Sequence, residues 1–391
     1  MLAMIFLVAT GVLPVVADNI PSGFSRPLSW RVGAELSGGM VPGTNSFLRG
    51  DNIDNKNINS TLSGDIRADF SFSPSTREGL LYKGLYQGIG LGMNTFFADG
   101  LLGNPMSAYV YQGAPIVHFS DRLWLGYEWQ FGAAFGWKYY DQDSAPDNAV
   151  VSTPVTAHMG LGIKLNYRLS DRWQLTAGVN ARHYSNGNTS WPNAGLNSLV
   201  ASVGVAYVIN PQKSTTTTDA ALEEAADRGR WFYDVVAYVA YRRRVAFIGE
   251  PAEPELCPGK FGVAGVLFSP MRKLNRWAAV GPGLCLQWDE SADLSTYWVN
   301  GTWGDELKFH RPPFVKQISV GLSAHAELTM PIFAVNIGMG YNVVNPKGDR
   351  AFYQSLTLKA FVLKNLYFNV GYRLGSFKEP QNLMLGLGFR L

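Results

Sequence analysis

The sequence predicts an all-β protein, a transmembrane antiparallel β-barrel, and three observations predict it. Long segments alternate apolar and polar side chains, charged residues make up only 16% of the 391 residues, and aromatics recur at segment ends. No apolar run after the N-terminus approaches the ~20 residues a spanning helix needs, so a helical membrane protein is excluded. The clearest strand sets Leu123, Leu125, Tyr127, Trp129, Phe131, Ala133, Phe135 and Trp137 against Trp124, Gly126, Glu128, Gln130, Gly132, Ala134, Gly136 and Lys138. That is too long for most soluble strands and fits a tilted membrane strand. A soluble sandwich would also alternate, but its polar face would carry charge and Thr rather than Gly and Asn.

Along the chain, Met1 to Val16 is apolar and ends in Val15-Val16-Ala17 before Asp18, the small-residue spacing of an export signal over residues 1–17, although it lacks a basic start. About eight strand-like segments follow, near 30–40, 64–73, 86–97, 106–119, 123–137, 158–169, 173–185 and 199–209, enough to close a small barrel over residues 28–210. Residues 211–230, with four threonines and the acidic, alanine-rich run Asp219 to Asp227, break the alternation and read as a linker with room for a short helix. A second set of about eight lies within 231–391, near 231–244, 261–271, 278–289, 317–330, 331–344, 354–364, 366–377 and 383–391. Two architectures fit: tandem eight-stranded barrels or one barrel of about sixteen strands. A complete set on each side of the linker favours the tandem form. The end of the second set also echoes the end of the first. Aligning Gly178 with Gly371 places Ser376 opposite His183 and Lys378 opposite Ser185.

In the segment Trp173 to Ser185, one face carries Trp173, Leu175, Ala177, Val179, Ala181, His183 and Ser185, and the other Gln174, Thr176, Gly178, Asn180 and Arg182. A base and a hydroxyl thus stand side by side on the apolar face, which in a membrane barrel meets lipid. An i, i+2 His and Ser at a strand end is more often an interfacial polar pair than a site, so their neighbours matter. His118, His158, His310 and His325 have no metal-ligand spacing among themselves and read as structural or lumenal. Tyr and Trp at strand ends read as an interfacial girdle. A net charge of +3 gives no nucleic-acid surface, and Arg242-Arg243-Arg244 reads as a solvated or headgroup-level strand end. Cys257, in a Pro-rich loop, and Cys285, in a strand, are two cysteines that define no disulfide framework.

The run Arg182-His183-Tyr184-Ser185-Asn186-Gly187-Asn188, followed by Trp191-Pro192-Asn193-Ala194-Gly195-Leu196-Asn197, resembles the signature of the lipid A 3-O-deacylase family of outer-membrane eight-stranded barrels. Gly103-Asn104-Pro105 and Leu125-Gly126-Tyr127-Glu128-Trp129 look similar to the same family. The resemblance covers roughly residues 28–210, a module of ordinary domain size. The whole chain resembles longer, acyloxyacyl hydrolase-like members, and the residues do not separate the two names. The resemblance implies a serine hydrolase with Ser185 as nucleophile, His183 as base and Asn193 as oxyanion donor. The family's acidic third member falls at Asn197, a departure, because an amide holds a histidine tautomer but stabilises imidazolium less well. Glu128 is rejected as a substitute since its parity turns it into the lumen, and the loop carboxylates Asp141 and Asp143 are the alternatives.

With a periplasmic N-terminus, odd strands run outward and the seventh ends at the outer leaflet. The expectation is therefore an ester hydrolase of lipid A, or lipopolysaccharide, in the outer membrane of a Gram-negative bacterium, acting without a cofactor or nucleic acid. The competing expectation is a non-catalytic barrel, a pore or structural partner, descended from such a hydrolase.

Overall fold

The structure, a computed structural model, describes residues 28–74, 76–187, 189–211, 229–248, 253–297, 309–346, 350–377 and 379–391. The export-signal segment and most of the linker lie outside them. The first eight strands are β1 (Leu28–Met40), β2 (Ser60–Phe72), β3 (Tyr86–Thr95), β4 (Met106–His118), β5 (Leu123–Phe135), β6 (Val155–Arg168), β7 (Trp173–Ser185) and β8 (Leu196–Val208). Each is antiparallel to the next, and β8 pairs back to β1 with Arg31 opposite Val208 and Met40 opposite Leu199. Closure leaves no unpaired edge, the condition lipid imposes on a spanning sheet.

The second set comprises β9 (Trp231–Arg242), β12 (Phe261–Lys273), β13 (Ala278–Asp289), β14 (Ile318–Thr329), β15 (Phe333–Val344), β16 (Phe352–Phe361), β17 (Leu366–Gly375) and β18 (Glu379–Arg390). These close separately, with β9 paired to both β12 and β18. The architecture is two eight-stranded antiparallel barrels, and the single larger barrel is excluded. Several short elements go beyond the sequence reading, among them a hairpin and a helix. A short hairpin of β10 (Val245–Ile248) and β11 (Glu253–Leu256) occupies the Pro-rich stretch read as loop. A one-turn helix α1 (Arg77–Leu81) is capped by Thr76, whose hydroxyl accepts from the Gly79 N–H.

Alternation sorts each strand's side chains. In β7 the outward Trp173, Leu175 and Val179 are 42–46% exposed, while the inward Gln174, Asn180, Arg182 and Tyr184 are buried. Polar groups inside a barrel this narrow must satisfy one another. In the first barrel Arg67 bridges Glu35 and Glu128 at 2.7 and 2.6 Å, and Lys164 pairs with the same two carboxylates. In the second, Lys359 bridges Asp234 and Glu327 at 2.6 and 2.5 Å, and Arg390 joins both at 2.8 and 2.7 Å. Each interior thus holds a neutral quartet of two acids and two bases.

The loops of the first barrel are unequal. Two tight turns, 119–122 and 169–172, and the connection 73–85 mark one end, and the four connections 41–59, 96–105, 136–154 and 186–195, referred to as the long-loop end, mark the other. Part of this long-loop end is a small apolar core in which Phe47, Leu48, Phe96, Leu102, Trp137, Val150 and Val151 pack with Tyr184 and Leu196. Burying one such side chain contributes about 1.5–3 kcal/mol. The end of β7 and the start of β8 are therefore fixed from above as well as along their ladder.

One local expectation is corrected. Arg242 is not solvated: its guanidinium is buried, ion-paired with Asp289, and donates to Ser291 Oγ at 2.9 Å and the Gln381 carbonyl at 2.7 Å. No disulfide joins the cysteines, because Cys285 lies inside the second barrel beside Tyr238 while Cys257 packs with Ala246, Phe261 and Leu294.

Candidate functional site

His183 and Ser185 fall on the outward face of β7, half-buried at its long-loop end, in line with the exposed Val179. The ladder places His183 between Met159 on β6 and Asn197 on β8, and Ser185 opposite Ala157. Directly paired residues of adjacent strands present neighbouring side chains. His183 Nδ1 lies 2.7 Å from Asn197 Oδ1. An amide oxygen only accepts, so Nδ1 donates and, in the neutral ring, Nε2 keeps its lone pair. The ring is thus held in the tautomer a general base requires.

The loop from β7 to β8 brings the remaining motif residues back. The Asn186 N–H donates to Asn193 Oδ1 at 3.0 Å, and Asn186 Nδ2 donates to Ser152 Oγ at 2.8 Å. Gly195 adopts φ +68°. A side chain there would crowd the His183 ring and the Tyr184 carbonyl, Cε1 and the carbonyl oxygen each lying 3.1 Å from the Cβ position and Ser185 Cβ 3.6 Å from it. Only glycine combines that conformation with that contact. The same contacts show His183 and Ser185 converging on one spot beside Gly195. Ser185 Oγ makes no hydrogen bond to His183 among the described residues, and such bonds are often long in enzymes without substrate.

The carboxylates considered as replacements for an acid at 197 do not reach His183. Asp141 Oδ1 accepts from the N–H groups of Asp143 and Ser144 and from Ser144 Oγ, closing its own exposed turn. The Ser144 N–H foremost, with the Ser144 hydroxyl and the Asp143 N–H, holds its carboxyl below the ordinary aspartate value. Asp143 lies in that same exposed turn. Glu128 is buried in the interior quartet, as its parity requires. His158 is interior too, its Nε2 3.1 Å from Gln130 Oε1 and its ring stacked on Tyr109. Ser152 was missed because nothing in a lone loop serine announces that Asn186 will reach it.

In the second barrel, β17 stops at Gly375, one residue before the position aligned with His183. Ser376 there has φ +48° and lies in the turn, and Lys378 is outside the described residues.

Residues 77–206 match the family model described as lipid A 3-O-deacylase (PagL), and residues 231–391 match the model described as the acyloxyacyl hydrolase C-terminal domain. Residues 77–206 thus belong to the lipid A 3-O-deacylase family and residues 231–391 to the acyloxyacyl hydrolase C-terminal domain family. The two names that the motifs left unseparated fall on the two barrels, the deacylase on the first and the acyloxyacyl hydrolase domain on the second. Family and fold together point to the bacterial outer membrane. Among solved structures, Neisserial surface protein A is 13% identical, with TM-score 0.29, over 46% of this chain and 98% of its own. A de novo designed transmembrane β-barrel is 16% identical, with TM-score 0.23, over 46% of this chain and 95% of its own. A Rhodopseudomonas blastica porin variant is 11% identical, with TM-score 0.18, over 93% of this chain and 100% of its own. No curated protein sequence matches the chain.

Proposed function

We propose that the first barrel, the deacylase domain, is a serine esterase that hydrolyses an acyl ester of lipid A in the outer leaflet of a Gram-negative outer membrane. Ser185 is the nucleophile, His183 the general base, Asn197 the group that orients the imidazole, and Asn193 the oxyanion donor. Ser185 Oγ bonds to the ester carbonyl carbon as its proton passes to His183 Nε2. Negative charge collects on the carbonyl oxygen, where the Asn193 amide N–H donates, its own Oδ1 being engaged by the Asn186 N–H. Collapse breaks the bond to the sugar oxygen, which takes the proton from Nε2. Water then repeats the sequence on the acyl-serine, and the fatty acid leaves with Ser185 restored.

The observation that carries this reading is the 2.7 Å His183–Asn197 bond on the hydrocarbon-side face, two residues from Ser185. On that face the ester of a membrane-embedded acyl chain meets the serine by lateral diffusion, with the chain lying along Ala181, Val179 and Leu175. Mass spectrometry of lipid A from Gram-negative cells expressing the protein or Ser185→Ala tests it. The wild type should remove one ester-linked acyl chain and the variant none; identical acylation in both would defeat the proposal.

A further inference from the structure

We infer that Asn148, in the β5–β6 loop, is a positioning residue for the oxyanion side of this site. The inference rests on the esterase reading above and names a part that the motif does not contain. Asn148 is buried, and its side chain makes four hydrogen bonds. Its Nδ2 donates to the carbonyls of Lys138 at 2.9 Å and Leu101 at 3.4 Å, tying the start of its own connection to the connection 96–105. Its Oδ1 accepts from the N–H groups of Val150 at 3.0 Å and Val151 at 3.1 Å. That amide therefore sets the path of the segment immediately after it.

The following segment is what the catalytic loop leans on. The Ala149 and Val150 carbonyls accept from the N–H groups of Ala194 and Gly195 at 3.0 and 3.1 Å. Ser152 Oγ accepts from Asn186, whose N–H in turn holds Asn193 Oδ1. Ala194, which follows the oxyanion donor in the chain, and Asn186, which bonds to its side chain, are thus anchored to the one strip of chain that Asn148 fixes. The apolar core around Val150, Val151, Tyr184 and Leu196 holds the strip down but does not register it along its length, because packing is not directional in the way hydrogen bonds are. Loss of the Asn148 amide would let residues 149–152 slide, and Asn193 with them, while the barrel ladder stayed intact. A displacement of about 1 Å at a reacting group can cost ~10²-fold in rate.

The test uses the full chain in detergent micelles with para-nitrophenyl octanoate as substrate, in a cycle of Asn148→Ala, Asn193→Ala and the double variant, together with amide hydrogen exchange. Asn148→Ala should lower kcat by ~10–100-fold with KM little changed. In the Asn193→Ala background it should change kcat by less than about twofold, because the two act through one donor. The Ala194 and Gly195 amides should exchange faster while β7 and β8 amides do not. Asn148→Asp, which keeps the acceptor and loses the donor, should fall between. Equal losses in both backgrounds, or unchanged exchange at 194 and 195, would overturn the inference. Should the wild type cleave no ester, the esterase reading falls, and the exchange measurement alone decides whether Asn148 holds this limb.

Discussion

The first barrel and the second each contain a histidine bonded to an asparagine with a serine two residues away, and they differ in the face on which it stands. On β7 His183 points outward, bonded to Asn197, with Ser185 beyond it. On β14 His325 points inward, its Nδ1 2.8 Å from Asn336 Oδ1 and its Nε2 2.8 Å from Ser323 Oγ. By hydrogen-bond geometry alone the inner set is the more complete. Yet His325 and Asn336 are buried, and Gly283 and Gly338 press against the ring so closely that a Cβ at either would sit within 3.0 Å of it. The inner set is a satisfied polar contact in a filled interior, where leaving any member unpaired would be costly. The outer set opens toward lipid, where an acyl ester can arrive. Access, set by the parity of a strand, is what distinguishes the proposed site from a packing solution.

The largest expected effect breaks or upholds that contrast directly. His183→Ala should reduce ester hydrolysis by ~10⁴-fold or more, while His325→Ala, if the barrel folds, should leave it within about twofold. Rates on para-nitrophenyl octanoate, with heat-modifiable gel mobility as a folding control, read both. Next comes the residue at 197, which sharpens the comparison. Asn197→Ala should lower kcat by roughly 10²-fold by releasing the tautomer, and Asn197→Asp should raise it about tenfold or more, since a carboxylate stabilises imidazolium better than an amide. A rate unmoved by either change would detach Asn197 from the reaction.

A smaller set of effects concerns what the two interiors share. Lys164→Met should leave Glu35 and Glu128 undercompensated, and Lys359→Met should do the same to Asp234 and Glu327, each destabilising its barrel by about 3–5 kcal/mol in reversible unfolding in lipid vesicles. With the quartets intact, planar bilayers containing the protein should show no ion conductance, as expected of narrow barrels filled by side chains. Steady conductance would favour the pore reading.

Much of the fold was legible because a strand's period is two and membrane strands are long. The alternation from Leu123 to Trp137 and the complete set of segments on each side of the linker carried the two-barrel architecture before any coordinates. The face of His183 and Ser185 followed from the same parity, as did the lumenal place of Glu128. What the sequence hid depends on contacts between distant segments. Arg242 looked like one of three surface arginines because its partners Asp289, Ser291 and Gln381 lie in other strands and loops. The β10–β11 hairpin was masked by prolines, which signal turns more strongly than short pairings. Asn148, Ser152 and the inner Ser323–His325–Asn336 set carry no local pattern, since their meaning comes from which carbonyl or ring the fold delivers to them.

The central claim is that the outward pair is the reactive one. Labelling the purified protein with a fluorophosphonate probe, followed by peptide mapping, tests it most directly. The label should map to Ser185, disappear in His183→Ala, and be absent from Ser323. Modification of Ser323, or a wild-type protein that takes up no label at Ser185, would contradict the account.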